Sequence, residues 1–114
     1  MAETIFGRIA AGEIPADIVY QDDDLVAFRD VNPQAPTHVL IIPRKPIATL
    51  NDVEADDAVL IGKLLLAAKR VAEQEGIAKA GYRTVINCNS AAGQTVFHLH
   101  LHVLGGRPMQ WPPG

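Results

Sequence analysis

The chain has 114 residues, 48% of them hydrophobic and 20% charged, with a formal net charge of -3 and one cysteine. That balance describes a globular chain of one domain's size with a core of its own, and it excludes a disordered one. It also offers no basic footprint for nucleic acid, no apolar run of membrane-spanning length, no secretion leader at Met1-Ala2-Glu3-Thr4 and no internal disulfide, so the expected setting is the cytoplasm, with neither nucleic-acid nor membrane partners.

In chain order, Thr4 is a helix cap, and Ile5 to Ala10 form a short amphipathic helix with Phe6, Ile9 and Ala10 on its apolar stripe and Gly12 as its stop. Strands are predicted at Asp17–Gln21 and Leu25–Asp30, with the acidic run Asp22-Asp23-Asp24 as the hairpin turn between them. Asn32-Pro33-Gln34-Ala35-Pro36 is a loop stiffened by its two prolines. Thr37 to Ile42 is the third strand, stopped by Pro43 and followed by the exposed basic turn Arg44-Lys45-Pro46.

One long helix is predicted from about Glu54 to Gln74, with Glu54, Asp56 and Asp57 in its first turn. Its stripe of Leu60, Leu64, Ala67 and Val71, widened by Ile61, Leu65 and Ala68, is broad enough to meet a sheet on one side and a partner on the other. Gly62 inside it costs about 1 kcal/mol relative to Ala, which suggests a close approach either to a second copy or to the chain's own sheet. Tyr82 to Asn87 is the fourth strand, Asn89 to Gln94 a small-residue loop, and residues 107–114 a Pro-rich tail carrying the lone Trp111. No linker divides the chain, so residues 1–114 are expected to be one domain.

The last strand carries the chemistry. Three of the 4 histidines stand at alternate positions, His98, His100 and His102. Successive side chains of a strand point to opposite faces, which puts these imidazoles on one face and Phe97, Leu99, Leu101 and Val103 on the other, toward a core.

Three uses compete for such a face. Plain solvation is the least fitting for so concentrated a set. A metal site is a second: the outer two histidines lie roughly 13 Å apart along a strand, while each reaches roughly 6–7 Å from its Cα to a bound ion. All three therefore cannot share a tetrahedral ion, although a pair such as His98 and His100 joined by His38 can. The third use is nucleophilic and acid–base work on a bound anion, since neutral imidazole attacks phosphorus and forms a labile N–P bond. The preceding Ser90-Ala91-Ala92-Gly93-Gln94-Thr95 supports that use. Its backbone amides can gather on anionic oxygens, and Gln94 and Thr95 add side-chain donors.

The segment His98-Leu99-His100-Leu101-His102-Val103-Leu104 is similar to the alternating signature of the histidine triad (HIT) superfamily. The likeness spreads over nearly the whole chain: Thr4-Ile5-Phe6-Gly7, Glu13-Ile14-Pro15-Ala16, Asp30 through Thr37-His38, Gly93-Gln94, Gly105-Gly106-Arg107 and Trp111-Pro112-Pro113-Gly114 all resemble its HINT branch. The resemblance implies an α+β, HIT-like fold: a five-stranded, mainly antiparallel sheet with one long and one short helix, in a homodimer whose two sheets join. It implies a purine nucleoside phosphoramidase that hydrolyses the P–N bond of adenosine 5'-phosphoramidate and of AMP joined to amines such as lysine. The reaction would pass through a covalent AMP-histidine, on AMP- or GMP-type nucleotides, with no cofactor and no metal.

On that pattern His100 is the nucleophile, His98 and His102 orient its ring and contact phosphate, and His38 completes the polar cluster. Asp30 holds the ribose hydroxyls with Val31 beside it. Asn87, Gly93, Gln94 and Thr95 contact the phosphate side, and Phe6, Ile9, Ile14, Phe28 and Arg29 form the base pocket. Thr95 replaces a common serine and keeps its hydroxyl; Arg29 replaces a frequent histidine. Two alternatives stay open: dinucleoside polyphosphate hydrolysis within the same superfamily, and a nucleotide-binding regulator with vestigial catalysis.

Overall fold

The computed structural model of the protein describes residues 3–114. Helix α1, Ile5–Ala10, begins where the Thr4 hydroxyl accepts the Gly7 N–H at 3.0 Å and ends before Gly12, whose φ of 78° is left-handed. Strands β1, Ile18–Gln21, and β2, Leu25–Arg29, form a hairpin. The Asp22 carboxylate accepts the N–H groups of Asp24 and Leu25 at 2.8 and 2.9 Å, which makes the acidic run a turn. Strand β3, Thr37–Pro43, follows, then the long helix α2, Ala58–Gln74, then β4, Tyr82–Val85, and β5, Leu101–Gly105. The five strands lie in the order β1-β2-β3-β5-β4, every neighbouring pair antiparallel.

Period-two alternation gives this sheet two apolar faces. Leu25 and Ala27 of β2, Val39 and Ile41 of β3, and Leu101 and Val103 of β5 pack with Leu64, Ala67, Ala68 and Val71 of α2. The residues between them, Val26, Phe28, Leu40 and Ile42, face the other way and pack with Ile9 and Phe6 of α1. Gly105 sits where a Cβ would lie 2.5 Å from Ile77 Cδ1 and 3.1 Å from Ile77 Cβ, so a larger residue there would have to displace Ile77.

Three boundaries differ from expectation by more than one residue. The long helix starts at Ala58: Ala55–Asp57 is a separate 3-10 turn, in which the Asp57 carboxylate accepts the Glu54 N–H at 3.0 Å and caps the chain. The fourth strand stops at Val85, short of Asn87.

The histidine strand is shorter too, starting only at Leu101. Continuing the β3–β5 register from Ile41 opposite Leu101 would set Pro43 against Leu99, and proline has no N–H for the ladder. The chain bends there instead, and Phe97, expected in the core, is 45% exposed. Of the two close approaches expected at Gly62, the one to the chain's own sheet is not made: a Cβ there would meet nothing within 4 Å among the described residues.

Candidate active site

A cleft of about 640 Å³ lies on the α1 side of the sheet. One end is apolar, formed by Phe6 and Ile9 of α1, Ile14 after it, Phe28 of β2 and Leu40 of β3, with Val31 fully exposed on the rim. The other end is polar, formed by Asp30, His38, Thr95, His100 and His102. Alternation explains the company: Phe28 is on β2, His38 and Leu40 on β3, and His102 lies opposite Leu40 in β5. Phe6 stands edge-on to Phe28 at 5.4 Å and to His100 at 4.9 Å between ring centroids, joining the two ends.

Every histidine has its tautomer set by a hydrogen bond. His98 Nε2 lies 2.7 Å from the Pro43 carbonyl and His100 Nδ1 lies 2.8 Å from the His98 carbonyl; a carbonyl only accepts, so each of these nitrogens carries the proton. Neutral His100 therefore presents a bare Nε2 lone pair. His38 Nδ1 accepts the Gln34 backbone N–H at 3.0 Å, which puts the His38 proton on Nε2, 2.9 Å from His102 Nδ1 and 3.5 Å from Asp30 Oδ2. His102 Nδ1 is then the acceptor, and its own proton sits on Nε2, a buried nitrogen with no partner. The site holds one lone pair and one N–H donor on adjacent imidazoles, whose ring centroids are 5.0 Å apart.

Burial pushes all four imidazoles below the ordinary histidine range. For His38 desolvation dominates and the Asp30 carboxylate partly opposes it; for His100 desolvation outweighs the hydrogen bond to the His98 carbonyl and, after it, the Asp30 carboxylate. For His98 desolvation outweighs the hydrogen bond to Pro43. His102 goes furthest, down to about 4, because desolvation is joined by the neighbouring His100 and His38. At neutral pH the cluster is uncharged, as a nucleophilic imidazole requires.

Ligand atoms of Asp30, His38 and His102 lie within 4.8 Å of one another, a different set from the His98–His100–His38 grouping that spacing allowed. Their hydrogen bonds do not fit a metal centre. A ring that accepts Gln34 N–H at Nδ1 holds its proton at Nε2, the atom that would have to ligate.

Several expected site residues lie elsewhere. Arg29 follows Phe28 on β2 and so points to the opposite face, where its guanidinium takes both oxygens of Glu75 and comes within 3.4 Å of Asp17. It is no part of the apolar pocket. Gln94 is 4% exposed and its amide is fully used: it accepts from Asn89 N–H at 2.8 Å and donates to the carbonyls of Ala48 and Val96 at 2.9 and 3.1 Å.

The loop also differs from the expected anion cradle. The amides of Ala92, Gly93 and Gln94 bond to the carbonyls of Asn89 and Ser90 inside a 3-10 turn, Ser90–Ala92. Gly93, at φ 90°, terminates that turn, and Thr95 is the loop residue that reaches the cleft. Asn87 lies beyond β4 and does not line the cleft, and His98 is buried behind it as the support of His100. The contributions of Gln34 N–H and of the Pro43 and His98 carbonyls went unforeseen, since main-chain groups leave no letter in a sequence.

A HIT domain family model matches residues 11–109. The chain is 56% identical over 107 residues to the purine nucleoside phosphoramidase of Escherichia coli, covering 94% of this chain and 90% of that protein. It is 60% identical over 112 residues to a HIT-like protein of Synechococcus elongatus, covering 98% of this chain and 97% of the other. In structure it is similar to a HIT family hydrolase from Legionella pneumophila, with a TM-score of 0.96 at 56% identity over 98% of this chain and 100% of that one.

Proposed function

This chain belongs to the HIT family, and on that premise we propose that it is a purine nucleoside phosphoramidase, hydrolysing adenosine 5'-phosphoramidate and AMP-amine conjugates through His100. The observation that carries the reading is the hydrogen bond from His100 Nδ1 to the His98 carbonyl, which leaves the Nε2 lone pair free to attack phosphorus. Attack forms the N–P bond to His100 while the P–N bond of the substrate breaks. His102 Nε2–H donates a hydrogen bond to a phosphoryl oxygen, the departing amine takes its proton from water, and the hydroxide so formed then cleaves the AMP-histidine and restores the His100 lone pair.

Asp30, beside His38, suits the paired hydroxyls of a ribose, and Thr95 a phosphoryl oxygen. Phe6, Ile9, Ile14, Phe28 and Leu40 offer a purine ring apolar contact, in which adenine and guanine differ little. AMP and GMP conjugates are thus both substrates, and Val31 closes the rim over the sugar. A lone half-buried Cys88 suits a reducing compartment, which supports a cytoplasmic setting.

A homodimer is part of the same reading. Val59, Leu65 and Leu66 on the outer side of α2 are 72%, 52% and 67% exposed, and open space at Gly62 lets another backbone approach. The sheet ends on edge strand β4, along which a second copy extends it.

Intact-mass measurement of enzyme quenched during turnover tests the chemistry. A transient adduct of one AMP is expected in the wild type and none in His100→Ala, whose turnover falls by at least about 1000-fold. No adduct, together with full activity in His100→Ala, overturns the mechanism.

A further inference from the structure

We propose that Arg107 is a positioning residue for the chemistry at His102, acting through the main chain of Gln34 and the ring of His38. Its effect on turnover rests on the phosphoramidase reading above, whereas the hydrogen-bond relay does not.

The relay begins at the end of β5. Arg107 Nε and Nη2 both donate to the Gln34 carbonyl, at 3.2 and 3.0 Å. The residue before it, Gly106, has φ 89°, and a Cβ there would lie 2.9 Å from Pro36 Cβ, so the chain crosses the 32–36 loop with no room for a side chain. Tail and loop meet because Thr37 pairs with Gly105, bringing the start of β3 and the end of β5 together.

Within the loop, Pro33 and Pro36 restrict the backbone on both sides of Gln34. Gln34 is thereby held at both of its main-chain groups. Its carbonyl takes the guanidinium, and its N–H donates to His38 Nδ1 at 3.0 Å. His38 Nε2–H then donates to His102 Nδ1 at 2.9 Å, which leaves the proton of His102 on Nε2, a buried atom with no partner among the described residues.

A donor N–H lying against Nδ1 blocks protonation there and fixes the ring. Without it, His38 turns and protonates more readily, and His102 loses the bond that keeps its donor aimed. The groups facing this pair are the Asp30 carboxylate, 3.5 Å from His38 Nε2, the His100 ring, 5.0 Å from that of His102, and the Gln34 amide itself. Asp30 favours the protonated form of His38 as soon as the Gln34 amide withdraws.

Nitrogen-15 NMR titration of the histidine rings in wild type, Arg107→Ala and Arg107→Lys tests the proposal, paired with steady-state kinetics on adenosine 5'-phosphoramidate. Arg107→Ala is expected to protonate at His38 at a higher pH than wild type and to lose roughly three- to tenfold in kcat with little change in KM. Arg107→Lys, which keeps a cationic donor for the Gln34 carbonyl, should recover most of both effects. An unchanged His38 titration in Arg107→Ala overturns the relay, as does a loss of kcat that lysine does not recover. Should the wild type turn over no phosphoramidate, the activity reading falls, and the titration still decides the relay.

Discussion

Arg29 shows how one residue's direction decides its meaning. Its neighbour Phe28 lines the cleft, so the pleat turns Arg29 to the opposite face, against Glu75 and Asp17. There its work is to tie β2 to the end of α2. Arg29→Ala is expected to lower the unfolding free energy by about 1 kcal/mol, the scale of a half-exposed bidentate pair, and to leave the kcat/KM ratio between adenosine and guanosine phosphoramidates unchanged. Urea denaturation and paired-substrate kinetics check this; an altered base preference would return Arg29 to the pocket.

The same contrast runs through the other site residues. His100 and His102 stood out in the sequence by their alternation with His98, and Asp30 and His38 were assigned to the site through the resemblance to the histidine triad pattern. Gln94 stood out for its donors, yet those donors hold the carbonyls of Ala48 and Val96. The groups that fix the tautomers of His38, His98 and His100 belong to the main chain of Gln34, Pro43 and His98, and only their positions in space reveal them.

At the scale of elements, β2 and β3 were legible as short apolar runs bounded by turn residues, and β5 by its alternation of histidine with apolar side chains. Their ends were not. Whether β5 reaches back to His98 depends on Pro43 standing across from it, a tertiary pairing that local pattern does not contain. The start of α2 depends on whether the carboxylate of Asp57 closes a turn of its own, as it does. The outer side of α2 carries the element's own prediction. Leu66 is 67% exposed and follows Val59 by two turns, with Gly62 between them, a stripe that water alone does not explain. In sedimentation velocity the wild type is expected to run as a dimer, and Val59→Lys with Leu66→Lys as a monomer with its helix content intact. A dimer that survives both lysines would move the interface off α2.

The whole molecule inherits a pH dependence from its neutral imidazoles. In the unfolded chain each histidine takes up a proton near pH 6.5, while in the fold burial delays that uptake for all four. The unfolded state then binds more protons than the native state below pH 6.5, and stability falls as pH falls. The sign follows from the depressed values: full stability is present above the unfolded pKa and is lost toward the folded one. For His102 the window closes at about 4, and a gap of about 2.5 pH units at 1.36 kcal/mol each makes its share of the loss about 3 kcal/mol. Urea midpoints measured between pH 7 and pH 4 are expected to fall steadily, and to fall less steeply in His102→Asn, which has no proton to gain. An equal slope in the variant would locate the acid sensitivity outside the cluster. Catalysis follows the same protons, because the lone pair that attacks phosphorus is the one that acid removes. The kcat/KM of the wild type should accordingly hold level from pH 7.5 down past the ordinary histidine range before it falls, a consequence of having buried the nucleophile with the fold.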